Sequence, residues 1–450
     1  MAVDLPREVA LKILFDINEK GAYSNISINK YLEGYELKEI DRAFITELVY
    51  GTAKWKLTID WIISQFSSIK IRKISPWILN ILRLGTYQIL YTDKVPESAA
   101  CNESVKLSKK YGHAASSGFV NGVLRGIARN RDKIKYPDRK NDFENYLSVR
   151  YSHPLWMVKE WVARFGGEFT ESLLESNNSV PEFIVRVNTV KTSKQSLIER
   201  LTAEGIEAEN GRYVEEAVTF KNPSSIAKMN TFKEGLFQVQ DESSMLVGKV
   251  LDPKPGEVVL DVCSAPGGKA THIAQLMGNR GKVIARDIHE HKIKIIHEAA
   301  ARLGLDIVDA ELFDATVLDE KWVGKADRVL VDAPCTGLGI LRRKPDIKWA
   351  RNIEDRTEIT ALQKKILDIA SKYVKPGGVL VYSTCTIESE ENEEIVKDFL
   401  GNNKDFESSD FSDLLPEVLC KPTAAQGMIQ FYPNTDKIDG FFISKIKRKK

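Results

Sequence analysis

Two cysteines, Cys335 and Cys385, stand at the carboxyl ends of the apolar runs RVLVDAPC and GVLVYSTC, each followed by turn residues. A lone buried cysteine is more often an inert small hydrophobe. Two at adjacent strand ends are a different matter, because open parallel sheets bind ligands just beyond the carboxyl ends of their strands. A thiol adds reversibly to an electron-poor carbon near neutral pH, since an appreciable thiolate fraction is present and sulfur is soft. Asp332, three residues before Cys335, is an acid able to disperse charge as such an adduct forms.

The other strand ends describe what shares that crevice. After EVVLDVC comes SAPGGKATHIA, where Gly267 and Gly268 permit a tight strand-to-helix turn and close backbone approach to a ligand. The following helix presents free N–H groups to an anion or carboxylate. The spacing is neither G-x-G-x-x-G nor that of a phosphate loop, which argues against a nucleoside triphosphate. KVIARD ends at Asp287, twenty residues past Gly267, the usual distance for an acid that binds ribose hydroxyls. ELFDAT ends at Asp314, placed to accept from an adenine amino group. An adenosine pocket without a phosphate clamp predicts S-adenosylmethionine as cofactor. A thiol beside a methyl donor is what methylation of pyrimidine C5 requires. Addition at C6 makes C5 enamine-like, C5 takes the methyl group, and a base then removes the C5 proton so that the thiol leaves.

These strand ends need a frame. From Met245 onward the apolar runs EVVLDVC, KVIARDI, DIVDAELFD, RVLVDAP and GVLVYSTC alternate with helical segments, which predicts a mostly parallel sheet covered on both faces. The closing MIQFYPNTDKIDGFFISKIKRKK predicts a terminal hairpin. Upstream, a helix around Trp156 to Leu174, the alternating FIVRVNTV, a helix near Ser193 to Ala203 and short strands to Val239 predict a small α/β unit. From Val3 to about Asn130 apolar residues recur at helical spacing, as in Ile59, Ile62, Ile63 and Phe66. Ser75 and Pro76 read as a helix start, and Gly112 as a stop. The last of these helices turns Val120, Val123, Leu124 and Ile127 inward and Arg125 and Arg129 outward, as candidates for phosphate contact. Residues 131–150 read as a polar connector.

With 450 residues, 43% apolar and 28% charged, the chain has globular composition. The net charge of +2 hides an asymmetry: residues 1–140 hold 23 Lys/Arg against 15 Asp/Glu, and the rest 42 against 48. A basic first region suggests contact with nucleic acid. Five scattered cysteines with no C-x-x-C pair fit a reducing cytoplasm. The first residues, MAVDLPREVALKILF, do not read as a signal peptide, and apolar stretches such as PWILNIL are far shorter than the ~20 residues of a membrane span. A cytoplasmic protein with no membrane partner is expected. His289, His291 and His297 do not share one helical face, so no metal site is expected. The acidic run Glu388, Glu390, Glu391, Glu393 and Glu394 reads as a helix start using negative charge against the helix dipole. Cys101 and Cys420 are taken as packing residues. Trp55, Trp61 and Trp77, interleaved with lysines, are better read as core than as platforms for bases.

SAPGGKATHIAQLM, DAPCTGLGILRRKPDIKW, YSTCTIESEENE, FIVRVNT and VQDESSML together resemble the Nop2/Sun family of RNA cytosine-5 methyltransferases, densely from about residue 180 to the end. IDRAFITELVYGTAKW and FVNGVLRGIAR are similar to a NusB-type RNA-binding domain. The resemblance implies methylation of 16S rRNA at cytosine 967, as naked RNA rather than assembled subunit, by a monomer. It implies that Cys263, Ser264, Ala265, Pro266, Gly267, Gly268 and Lys269 form the cofactor loop, with Asp287, Asp314 and Asp332 in the cofactor pocket. It matches Cys385 to the nucleophile and Cys335 to the residue that resolves the adduct, with Asp332 beside them. DNA cytosine methyltransferases attack with the other cysteine, and spacing alone does not decide between the two. Lys269 and the run Arg342, Arg343, Lys344 are expected at the flipped base and its phosphates. SAPGGK stands where AAPGGK is commoner, a small polar change.

The expected architecture is multidomain: an all-α NusB-like domain over residues 1–140, a connector and small α/β (RRM/ferredoxin-like) RNA-binding unit over 141–235, and a Rossmann-like α/β class I methyltransferase domain over 236–450. Two other functions fit parts of the pattern. A non-catalytic RNA-binding or ribosome-assembly factor would need neither thiol. A cytosine-5 methyltransferase acting on another RNA or on DNA would use the same chemistry.

Overall fold

The computed structural model describes residues 3–221 and 226–450. Residues 1, 2 and 222–225, which fall in the first two expected domains, lie outside the described residues. Two compact units emerge, Met1–Val180 with Leu341–Arg351, and Pro181–Ile340 with Asn352–Lys450.

The first unit is helical. Its opening helix, Leu5–Lys20, starts where Asp4 accepts from the Arg7 N–H at 3.2 Å and stops at Gly21, which adopts φ 67°. Val9, Ile13 and Leu14 of that helix join Ile45, Leu48 and Val49 of Glu39–Lys54 in one core. Pro76–Tyr91 is buried along most of its length. Gly51 is required where this helix comes close, since a Cβ there would lie 2.0 Å from Tyr87 Cζ. Trp77 stacks between Phe15 and Tyr111, with ring centroids 3.8 and 4.6 Å away, and Trp55 stacks on Tyr91. The Trp61 indole donates to the Lys135 carbonyl at 2.8 Å. Trp55 and Trp77 pack against the helical core, as expected, whereas Trp61 makes its hydrogen bond in an exposed setting. On Ala114–Arg129, Val120, Val123, Leu124 and Ile127 are buried while Arg125 and Arg129 are exposed. The helices Phe143–Tyr151, Leu155–Phe165 and Gly167–Asn178 complete the unit. The expected connector is therefore helical from Phe143, and the one helix expected around Trp156 to Leu174 is two helices that group with the helical unit rather than with the small sheet.

Segment Leu341–Arg351 also belongs to this unit. Asp346 is buried and accepts from the Ser24 N–H at 3.0 Å and hydroxyl at 2.6 Å, while the Trp349 indole donates to the Ala53 carbonyl at 2.6 Å. In the basic run, Arg342 and Arg343 are half-buried and Lys344 is exposed.

The second unit holds two sheets. The smaller one contains β1 (Phe183–Val187), β2 (Ala208–Asn210), β3 (Ala217–Phe220) and β4 (Phe237–Val239), all antiparallel in the order β2-β3-β1-β4. Helix Lys194–Ala203 packs Leu197 and Leu201 into the core beneath it. The larger sheet contains β5 (Val258–Asp261), β6 (Lys282–Asp287), β7 (Val308–Leu312), β8 (Ala326–Asp332), β9 (Val374–Thr384), β10 (Phe406–Ser408), β11 (Met428–Phe431) and β12 (Phe441–Arg448). Its order is β10-β12-β9-β8-β5-β6-β7, with β11 paired to β12. The strands from β5 to β9 pair in parallel and the last three antiparallel. β11 and β12 form the expected terminal hairpin. The order reverses between β5 and β8, so the crevice beyond their carboxyl ends is the switch point where such sheets take ligands.

Among the described residues no helix is long and apolar enough to cross a membrane, and no group of three or more His, Cys, Asp or Glu could hold a metal ion.

Candidate active site

β5 is apolar until Asp261, and the chain then turns through Cys263–Gly267 into the helix Gly268–Leu276. The Ser264 N–H donates to the Arg286 carbonyl at 2.7 Å, and the Gly267 N–H to the Ser264 carbonyl at 2.8 Å, which closes the turn. Gly267 adopts φ 95°, and a Cβ there would meet Ile296 Cα at 3.3 Å. Behind the helix lies Arg186 of β1, almost fully buried. It donates to the Gly268 carbonyl at 2.8 Å, to the Thr271 hydroxyl at 3.1 Å and to Gln275 at 3.1 Å. The small sheet thus grips the first turn of this helix.

Asp287 ends β6, where its carboxylate accepts from the His289 N–H at 3.0 Å. Asp314 lies two residues beyond β7, and its carboxylate accepts from the Thr316 N–H at 2.8 Å. Asp261, fully buried, and the buried Ser264 hydroxyl have no hydrogen-bond partner in good geometry. Burial, and then the Asp332 charge, pushes the Asp261 carboxyl up to about 7. Unpartnered buried polar atoms around an open glycine turn fit a polar, partly cationic ligand such as S-adenosylmethionine.

Asp332 ends β8 directly opposite Ser383 of β9, and the register makes their contact. One Asp332 oxygen accepts from the Ser383 hydroxyl at 2.9 Å and the other from the Lys269 ammonium at 2.7 Å. Burial pulls the Lys269 ammonium down, but Asp332 beside it, with Cys385 and Asp261 adding, holds it above its ordinary value. Lys269 therefore points at Asp332, and its Nζ lies 5.2 Å from the centre of the Phe441 ring.

Beyond β8 and β9 the two thiols meet, with Sγ atoms 3.2 Å apart. The Gly339 N–H donates to the Cys385 carbonyl at 3.0 Å. The Cys335 thiol is pushed well up, first by its hydrogen bond to Cys385, then by burial, then by charge at Cys385 and Glu391. These causes all favour the neutral Cys335 thiol, and either sulfur can be the donor in the contact with Cys385. Burial, with Asp261, Asp332 and Asp287 nearby, also pushes the Cys263 thiol well up, so Cys263 serves the loop as a neutral group.

Two further expectations need correction. Cys420 is exposed, and Leu419 beside it fills the core instead. The acidic run is only in part a helix start. Glu393 and Glu394 do open the helix Glu393–Asn402, but Glu388 and Glu391 are buried and bonded inward. Helical periodicity gave no warning, because the residues before Glu393 form a short 3₁₀ turn. Sequence reasoning also missed Asp261, Ser383 and Arg186. Asp261 carried a usable signal, an acid ending the first strand of a ligand-binding sheet.

The strand order and glycine turn make the large sheet a Rossmann-like domain of the class I methyltransferase kind. The family model described as 16S rRNA methyltransferase RsmB/F matches residues 248–447, the NusB family matches 4–129, and the RsmF/B-like ferredoxin-like domain matches 153–227. The chain is 41% identical over 449 residues to the probable ribosomal RNA small subunit methyltransferase B of Bacillus subtilis (strain 168), with 98% of each covered. A solved structure named PH0851 is 27% identical and superposes with TM-score 0.83, covering 100% of both chains. NSun6 from Pyrococcus horikoshii, solved with SFG, an S-adenosylmethionine analogue, is 25% identical with TM-score 0.58, covering 65% of this chain and 97% of its own. The chain belongs to the RsmB/F family of 16S rRNA methyltransferases, with a NusB-like first domain and a ferredoxin-like middle domain.

Proposed function

We propose that this chain transfers a methyl group from S-adenosylmethionine to C5 of a cytosine in 16S rRNA, at cytosine 967, through a covalent bond between Cys385 and C6. The observation that carries this reading is the pair of Sγ atoms 3.2 Å apart, with the Cys335 thiol pushed well up and Lys269 supplying positive charge. The charge of Glu391 is one of the causes that push the Cys335 thiol up, so it adds to what favours Cys335 as the neutral partner.

The loop Cys263–Lys269, with Asp287 and Asp314, would hold the cofactor, which when bound supplies an electrophilic methyl group for C5. The Cys385 thiolate adds to C6, and the ring electrons gather at C5. Asp332, fixed by Lys269 and Ser383, orients the base and disperses charge at N3 or the exocyclic amine. Once Cys385 is bonded to carbon, its sulfur no longer carries charge beside Cys335. Cys335 then gives its proton to solvent and takes the one on C5. As it does so the Cys385–C6 bond breaks and Cys385 leaves as thiolate.

The same reading assigns residues 1–140 and 141–235 to RNA binding and 236–450 to catalysis, by a monomer acting on free 16S rRNA in the cytoplasm. It is tested by methyl transfer from labelled cofactor to deproteinised 16S rRNA, 23S rRNA, transfer RNA and DNA, with mapping of the product. Label at a single cytosine C5 of 16S rRNA is expected. Label confined to transfer RNA or DNA would move the substrate, and label on no C5 would overturn the reading.

A further inference from the structure

Each thiol is followed by a threonine, and the two threonines lead to one carboxylate. The Thr336 and Thr386 hydroxyls, 1% and 0% exposed, lie 2.9 Å apart. Glu391, also 0% exposed, accepts through Oε2 from the Thr336 N–H at 2.9 Å and the Gln363 amide at 3.0 Å. Its Oε1 accepts from the Thr336 hydroxyl and, at 3.4 Å, from the Thr386 hydroxyl. The Gln363 amide also donates to the Pro334 carbonyl at 2.9 Å, so the chain is held on both sides of Cys335. Around Cys385, the Tyr382 hydroxyl donates to the Glu391 carbonyl at 2.7 Å and the Asn392 amide to the Thr386 carbonyl at 3.1 Å.

A carboxylate only accepts, so it fixes the direction of the whole network. The Thr336 proton points to Glu391, and the Thr386 hydroxyl donates to Thr336 or to Glu391. Neither hydroxyl is left to turn toward a thiol. We propose that Glu391, acting through Thr336 and Thr386, is a positioning residue that ties the two thiol-bearing loops together and sets the separation of Cys335 and Cys385 for adduct formation and release. This inference rests on the reading that the two thiols share one reaction.

The test uses full-length protein and compares Thr386→Val, Thr336→Val and Glu391→Gln with Thr386→Ser and Thr336→Ser, which keep the hydroxyls. Each is assayed for kcat, for KM of RNA and of cofactor, and for the rate of covalent protein–RNA adduct formation in a Cys335→Ala background. The valine variants are expected to lower kcat and the adduct rate together by about 10- to 100-fold, with both KM values within about twofold, because a small misplacement of reacting groups costs rate rather than binding. The serine variants are expected to restore most of that loss. Valine variants with full kcat overturn the inference, as do serine variants as impaired as valine, or losses confined to KM. Should Glu391→Gln not fold, the threonine pairs still decide the matter. A wild-type chain that methylates no cytosine C5 overturns the function and this inference together, whereas an active wild type with a fully active Thr386→Val chain overturns this inference alone.

Discussion

Asp261 sits fully buried at the tip of β5, and neither carboxyl oxygen has a hydrogen-bond partner in good geometry. Its ordinary value is 3.8, and burial with the Asp332 charge raises it to about 7. Folding therefore favours the protonated form. The stability this contributes is complete below about 3.8 and is lost as pH rises to about 7. Asp261→Asn removes the titration, so the variant should gain on the wild type by on the order of 3 kcal/mol between about pH 4 and about pH 8. Urea unfolding of both chains across that range checks this, and parallel pH profiles would contradict it. Spacing brought Cys335, Cys385 and Asp332 forward as candidates. Spacing could not show that Lys269 and Ser383 clamp Asp332, because that depends on the β8–β9 register.

At the scale of elements, the parallel strands were legible as apolar runs, since strands buried on both faces leave no alternation to misread. β10, three residues long, carried too little pattern to be found. Glu391 was misread because charge next to a helix start suggests solvent, while its burial follows from the loops it serves. The grip of β1 on the helix Gly268–Leu276 was equally hidden, because Arg186 reads as one polar residue in FIVRVNT. Arg186→Met would leave the Gly268 carbonyl without its 2.8 Å donor and free the first turn of that helix. Cofactor affinity, measured by calorimetry, should fall about tenfold, the equivalent of one lost charge-assisted hydrogen bond. Unchanged affinity would assign Arg186 to packing alone.

At the scale of the whole molecule, the unequal charge of the first 140 residues was the earliest sign of nucleic acid, and Arg125 and Arg129, singled out by helical periodicity, are exposed. If Arg125 and Arg129 meet phosphates, changing both to alanine should weaken RNA binding uniformly across sequences. It should also reduce the slope of log affinity against log salt by about one to two. A slope equal to that of the wild type would remove them from the interface. The embedding of Leu341–Arg351 in the helical unit had no sequence signature, since its basic residues suggested open contact with RNA. The central claim is the division of labour between two thiols, and it is tested most directly by incubating Cys335→Ala and Cys385→Ala chains with 16S rRNA and cofactor and running them on denaturing gels. Cys335→Ala should accumulate a covalent protein–RNA species that does not turn over, and Cys385→Ala should give neither that species nor product. Accumulation with Cys385→Ala and none with Cys335→Ala would contradict the account.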